Sequence, residues 1–167
     1  MTRIPTAPHR RKLPAADEMA FGIVVSELNG EITELMLEEA VRTLREAGCP
    51  ELNIQIKYVP ELFDLAMGVQ CFAEYTDVDA VLLIGCRIRQ ESHTDPLPAL
   101  MQSIGQIQIQ WNMPCAWGIV EAGDRSEAYE RSDRGAWAAA AAIRMVHLQI
   151  EMEAASPNST PDRRNLN

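Results

Sequence analysis

Hydrophobic and polar positions change period several times along the chain, and each change marks an element. Ala20–Ser26 (AFGIVVS) is a short run rich in β-branched residues, closed by the turn-like Glu27-Leu28-Asn29-Gly30. Ile32, Leu35, Met36, Ala40, Val41 and Leu44 then recur at helical spacing as far as Gly48. Leu52–Val59 alternates as a strand does. Pro60 falls where a first helical turn tolerates it, ahead of a stripe of Leu62, Leu65, Ala66, Val69 and Phe72. Asp79–Ile88 is a continuous apolar run, as in a strand covered on both faces. The period predicts a helix over Leu97–Trp111, a strand over Pro114–Glu121, a short helix over Asp124–Arg131 and a long one from Trp137 to Ala154.

Strand and helix therefore alternate four times. That order implies right-handed crossovers and a three-layer α/β/α fold: a four-stranded parallel sheet, doubly wound in the flavodoxin-like manner. Ligands of such sheets bind beyond the carboxyl ends of the strands. The loops to examine are Ser26–Gly30, Val59–Asp64, Gly85–Pro96 and Glu121–Arg125. Residues 19–154 form the one domain. Residues 1–18, with Pro5, Pro8 and Pro14, are expected as a flexible arm, and the polar residues 155–167 as a disordered tail.

Composition narrows the classes. Hydrophobic residues make up 47% of 167, enough to fill one core and too little chain for two comfortable domains. No apolar stretch approaches the roughly 20 residues of a membrane span, and the start lacks the apolar core of a secretory signal. Cys49, Cys71, Cys86 and Cys115 are widely spaced, which suits buried thiols in a reducing compartment. A cytoplasmic protein is expected, with no membrane partner. The net charge of −9 argues against a nucleic-acid partner, because phosphate neutralisation needs clustered cations. The one basic run, His9-Arg10-Arg11-Lys12, lies in the arm.

The loops carry neither G-x-G-x-x-G nor G-x-x-x-x-G-K-[ST] nor G-x-S-x-G, so dinucleotide, P-loop and serine-hydrolase readings are poor. Four segments do resemble, in order and spacing, those of the lumazine synthase family. They are FGIVVSELNGEITELMLEEAVRTLREAG, YVPELFDLAMGVQ, DAVLLIGCRIRQESHTDP and MPCAWGIVEAGDRSEAYER, within residues 20–152. The resemblance implies a lumazine-synthase-type fold. It also implies a transferase of riboflavin biosynthesis that condenses 5-amino-6-(ribitylamino)uracil with 3,4-dihydroxy-2-butanone 4-phosphate, without metal or other cofactor. Its partners would be a flavin precursor or phosphate, and further copies of itself as a homopentamer or a higher assembly. The alternative is a non-catalytic paralogue that keeps the fold and its assembly or ligand binding.

Carried across residue by residue, the resemblance places Asn29, Phe63, Asp64, Cys86, Ile88 and Trp117 at the substrate, and Glu91, Ser92 and Arg131 at phosphate. Several positions depart from the family. Leu28 stands for an aromatic platform, Glu61-Leu62 for Gly-Ala, Arg87 for Val and Gln90 for the loop Gly. Thr94 occupies the place of the catalytic His, which leaves His93, one residue early, as the candidate proton shuttle.

Each candidate also has a plainer reading. Asn29 suits a helix N-cap, Phe63 a core position, Asp64 the positive end of a helix, His93 an exposed loop and Arg131 a solvated surface. Glu61 and Arg87 are read either as two independent surface charges or as an ion pair across the crevice. The run Ala138–Ala142 suits close helix packing between subunits.

Overall fold

The structure, a computed structural model, describes residues 12–156. Four strands, β1 (Phe21–Ser26), β2 (Ile54–Val59), β3 (Ala80–Ile88) and β4 (Cys115–Ala122), form one parallel sheet in the order β2-β1-β3-β4. Between and after them run α1 (Gly30–Glu46), α2 (Leu65–Tyr75), α3 (Leu97–Trp111), α4 (Arg125–Glu130) and α5 (Arg134–Ala154). The expected three layers are present. α1 and α5 pack on one face of the sheet, α2 and α3 on the other.

β3 lies inside the sheet and is buried at every residue, as its unbroken apolar run requires. β2 and β4 are the edge strands, and the Gln55–Tyr58 stretch of β2 is exposed. The face toward α1 and α5 holds the larger core, including Phe21, Ile32, Met36, Leu82, Ile84 and Ile143. The opposite face holds Val24, Leu65, Phe72, Leu83, Leu100 and Ile104.

Two helix starts differ from expectation. Pro60 does not open α2. The Asp64 carboxylate accepts a hydrogen bond from the Glu61 N–H at 3.0 Å, which holds residues 60–63 in a bend and delays the helix to Leu65. α5 begins at Arg134, one turn before Trp137, because the chain leaves α4 in a short turn in which the Arg134 N–H donates to the Arg131 carbonyl.

The alanine run is spent inside the chain. Ala138, Ala139 and Ala142 are buried in the larger core, where α5 meets α1. A methyl added at Gly135 would lie 1.8 Å from the Met36 carbonyl oxygen, so the two helices approach backbone to backbone there. Ala16 is also fully buried, its N–H donating to the Ala47 carbonyl at 2.8 Å. The packed body thus starts before the boundary expected at residue 19. The rest of the expected arm up to residue 11, with Pro5, Pro8 and His9, and the tail from 157 lie outside the described residues.

Candidate functional site at the carboxyl ends of the strands

Parallel strands bring all four carboxyl ends to one edge, and the loops expected there are tied together. The Glu27 N–H donates to the Val59 carbonyl at 2.9 Å and the Gln90 N–H to the Gly123 carbonyl at 3.3 Å. Asn29 sits at the N-cap of α1 in the left-handed region (φ 56°), a conformation that Asn tolerates better than most residues. Its amide does not cap the helix. Nδ2 donates instead to the Cys86 carbonyl at 3.0 Å, joining the first loop to β3.

Arg125 is the hub. Its guanidinium grips Glu91 through two parallel contacts, Nε to Oε1 at 2.8 Å and Nη2 to Oε2 at 3.0 Å, the forked geometry that suits a carboxylate. It also pairs with Glu31 on α1 and reaches the Asn29 side-chain oxygen at 3.5 Å. Arg131, expected with Glu91 and Ser92 at phosphate, does not contact Glu91: its Nη1 donates to the Glu121 carbonyl at 2.6 Å and lies 3.3 Å from Glu127, while Glu91 pairs with Arg125. Both guanidiniums lie near enough to Cys86 to favour its thiolate, yet burial dominates and pushes that thiol up to about 11.

Glu61 and Arg87, read either as independent surface charges or as an ion pair, do not meet. Arg87 pairs with Glu121 (Nη1 to Oε2, 2.5 Å), its partner in the β3–β4 register, and Arg89 meets the other oxygen of Glu121 at 3.2 Å. Glu61 stays exposed in the bend after β2 and contributes only its N–H, to Asp64. The physical reason is position. Residues directly opposite on neighbouring strands are held together by the backbone ladder, whereas Glu61 would have to leave solvent to reach a guanidinium already compensated.

The other candidates separate by environment. Leu28 is half-buried against the α2/α3 core, and Trp117 joins it from β4. Phe63 is exposed, neither core nor enclosed wall. Cys86 and Ile88 turn their side chains into the α1/α5 core, leaving the Cys86 carbonyl as the group nearest the loops. The Ser92 hydroxyl donates to the Thr94 carbonyl at 2.8 Å, and His93 and Thr94 are exposed. No group of three His, Cys, Asp or Glu among the described residues could hold a metal ion.

Sequence reasoning missed Arg125, Glu31 and Glu121. A signal for Arg125 was present. It follows Asp124, which caps α4 by accepting from the Glu127 N–H at 2.9 Å. A cation in a first helical turn opposes the helix dipole, so it needs acidic neighbours. Glu121 became legible only with the strand register.

These features define a doubly wound, three-layer α/β protein whose polar and charged groups converge where four parallel strands end. The family profile described as 6,7-dimethyl-8-ribityllumazine synthase matches residues 18–149. Proteins of that name from Bacteroides fragilis and Parabacteroides distasonis are 35% and 34% identical over 135 and 143 residues, covering 77% and 81% of this chain and 94% and 89% of their own. One from Methanocaldococcus jannaschii is 35% identical over 132 residues, 75% of this chain and 90% of its own. The chain belongs to the 6,7-dimethyl-8-ribityllumazine synthase family.

Proposed function

We propose that this chain is a transferase of riboflavin biosynthesis, joining 5-amino-6-(ribitylamino)uracil to 3,4-dihydroxy-2-butanone 4-phosphate. The carrying observation is the family match over 18–149. Supporting it, the carboxyl-end loops tie Asn29 to the Cys86 carbonyl and Glu91 to Arg125. The reaction asks for positioning, a cation for phosphate and a proton shuttle, and needs neither metal nor organic cofactor.

In this reading Leu28, Phe63 and Trp117 offer apolar area to the flat ring, and Asn29, Glu61 and Asp64 supply polar groups around it. The loop of Glu91 and Ser92 receives phosphate with Arg131. Arg131 is half exposed and keeps guanidinium donors beyond the two contacts it makes. His93, exposed on the same loop, is the proton shuttle. The enzyme works in the cytoplasm. Among the described residues no helix is long and apolar enough to cross a membrane.

The assembly proposed is a homopentamer. Supporting it, a mostly apolar groove of about 460 Å³ runs between the free edge of β2 and α2, lined by Tyr58, Pro60, Met67, Cys71, Phe72 and Tyr75. Light scattering on the purified protein should give five times the 18.6 kDa chain mass. A monomer would remove this part of the reading.

The decisive experiment mixes both substrates with purified protein and follows lumazine formation by absorbance. Turnover is expected. Arg131→Ala should lower kcat/KM by about 10–100-fold, the loss of one hydrogen bond to a charged group. Ligand binding without turnover would move the protein to the non-catalytic reading.

A further inference from the structure

Arg87 is the one charged side chain among the described residues that is buried. Alternation along β3 sends Cys86 and Ile88 into the α1/α5 core and leaves Arg87 on the α2/α3 face, beyond Val81 and Leu83. A guanidinium in that position is costly unless its donors are met. It divides them between two places. Nη1 meets Glu121 on the neighbouring strand at 2.5 Å, while Nε donates to the Thr94 carbonyl at 3.2 Å and stands 3.9 Å from the Asp95 carboxylate.

The segment that receives the second bond has little else to hold it. Residues 92–96 are neither helix nor strand, and His93 and Thr94 make no backbone–backbone hydrogen bond. What restrains them comes from side chains. Ser92 Oγ donates to the same Thr94 carbonyl, the Asp95 carboxylate accepts from the Leu97 N–H at 3.1 Å, and Glu91 is gripped by Arg125. Of these, only Arg87 ties the middle of the segment to the sheet.

We propose that Arg87, held by Glu121, is a positioning residue that clamps the Ser92–Asp95 segment to the carboxyl end of β3. The orientation of Ser92 and His93 at the site then follows from a buried guanidinium. Glu121 supplies the charge balance that lets Arg87 stay in place, and Thr94 is held by its backbone, so its side chain is free to vary. For turnover the inference rests on the proposed function, but the clamp itself can be measured without it.

Arg87→Lys separates charge from clamp. A lysine keeps a cation opposite Glu121, but its single ammonium lacks the fork that reaches two directions at once. The readout is cleavage of the folded protein by a protease that cuts before aspartate, at the Thr94–Asp95 bond, with other aspartates as internal controls. Thermal unfolding is measured alongside. Arg87→Lys should melt near wild type yet be cut at Thr94–Asp95 about tenfold faster, the loss of one ordinary hydrogen bond. Its KM for the phosphate-bearing substrate should rise more than kcat falls. Glu121→Gln, which keeps an acceptor for Arg87, should show a smaller rise in cleavage at the same bond.

Wild-type cleavage at Thr94–Asp95 in Arg87→Lys would overturn the proposal. Equal acceleration at every aspartate, or an unfolded Lys variant, would make Arg87 a stability residue only and overturn it too. A wild-type protein that forms no lumazine would refute the enzyme reading and leave the cleavage comparison to decide the clamp.

Discussion

The two faces of the sheet are built to different standards. Toward α1 and α5 the core is large and continuous, and it brings backbones together: Gly135 lies against the Met36 carbonyl, and a methyl at Gly118 would lie 2.5 Å from the Leu83 carbonyl. Toward α2 and α3 the core is smaller, and it is fringed by exposed Phe63, Met67, Tyr75, Met101 and Ile109. The same face carries Arg87 and Glu121 at its carboxyl end. The outer side of the α1/α5 layer is not bare of apolar surface either, since Leu35, Trp137, Met145, Leu148, Ile150 and Met152 are exposed on it. What sets the α2/α3 face apart is its smaller core and the charge it places at the site.

The sharpest way to break this contrast is to disturb the face where backbones meet. Gly135→Ala puts a methyl into the Met36 carbonyl, where neither backbone can yield, so the cost should exceed the roughly 1–3 kcal/mol of ordinary overpacking. Chemical denaturation should find this variant unfolded or barely stable. If it is as stable as the parent, the α1–α5 approach is looser than described.

Next comes a cavity on each face. Leu82→Ala and Leu83→Ala remove neighbours on β3 that point to opposite sides, both fully buried. Each should cost about 2–5 kcal/mol. The larger core, pinned by backbone contact, has less room to collapse, so Leu82→Ala should be the costlier. The reverse order in denaturant midpoints would show that the smaller core is the more rigid.

Thiol chemistry tests the same division by rate. Burial pushes Cys86 up to about 11 and Cys115 up to about 12. A raised pKa keeps the thiol protonated at pH 8, and the thiolate is the nucleophile. Both should therefore resist iodoacetamide until the protein unfolds, with reactivity climbing only as pH approaches those values. Cys71, exposed on α2 beside the groove, should be the first labelled by mass spectrometry in a dissociated chain. Early labelling of Cys86 would mean the strand ends open in the folded state.

The smallest effect on the chain's own stability belongs to Met67→Glu, on α2 beside the groove. An exposed position should change unfolding of the isolated chain by no more than about 0.5 kcal/mol. The assembled mass in light scattering should nevertheless fall, because the groove would then carry a buried charge in any partner interface. An unchanged mass would place the interface elsewhere.

Much of this was readable beforehand because it depends on periodicity. The unbroken run before Ile88 marked an interior strand, and Leu97–Trp111 was bounded correctly by its period alone. The four loops at the strand ends were predictable once the sheet was parallel. The individual pairings were not. Glu61 and Arg87 lie close in the list of family departures, but their partners depend on which strand neighbours which, and β4 beside β3 gave Arg87 to Glu121. Phe63 looked like core by type and is exposed, because the Asp64-held bend keeps it out of the helix.

Alternating patterns and the family-like loop segments, local properties of the chain, determined the fold class, the element order and the edge of the sheet where a ligand would sit. Tertiary structure alone decided that Arg125 rather than Arg131 holds Glu91, that the alanine run serves α1, and that Arg87 reaches across to Thr94. Those contacts join residues distant in sequence, and side-chain donors choose among acceptors only after packing has fixed the distances between them.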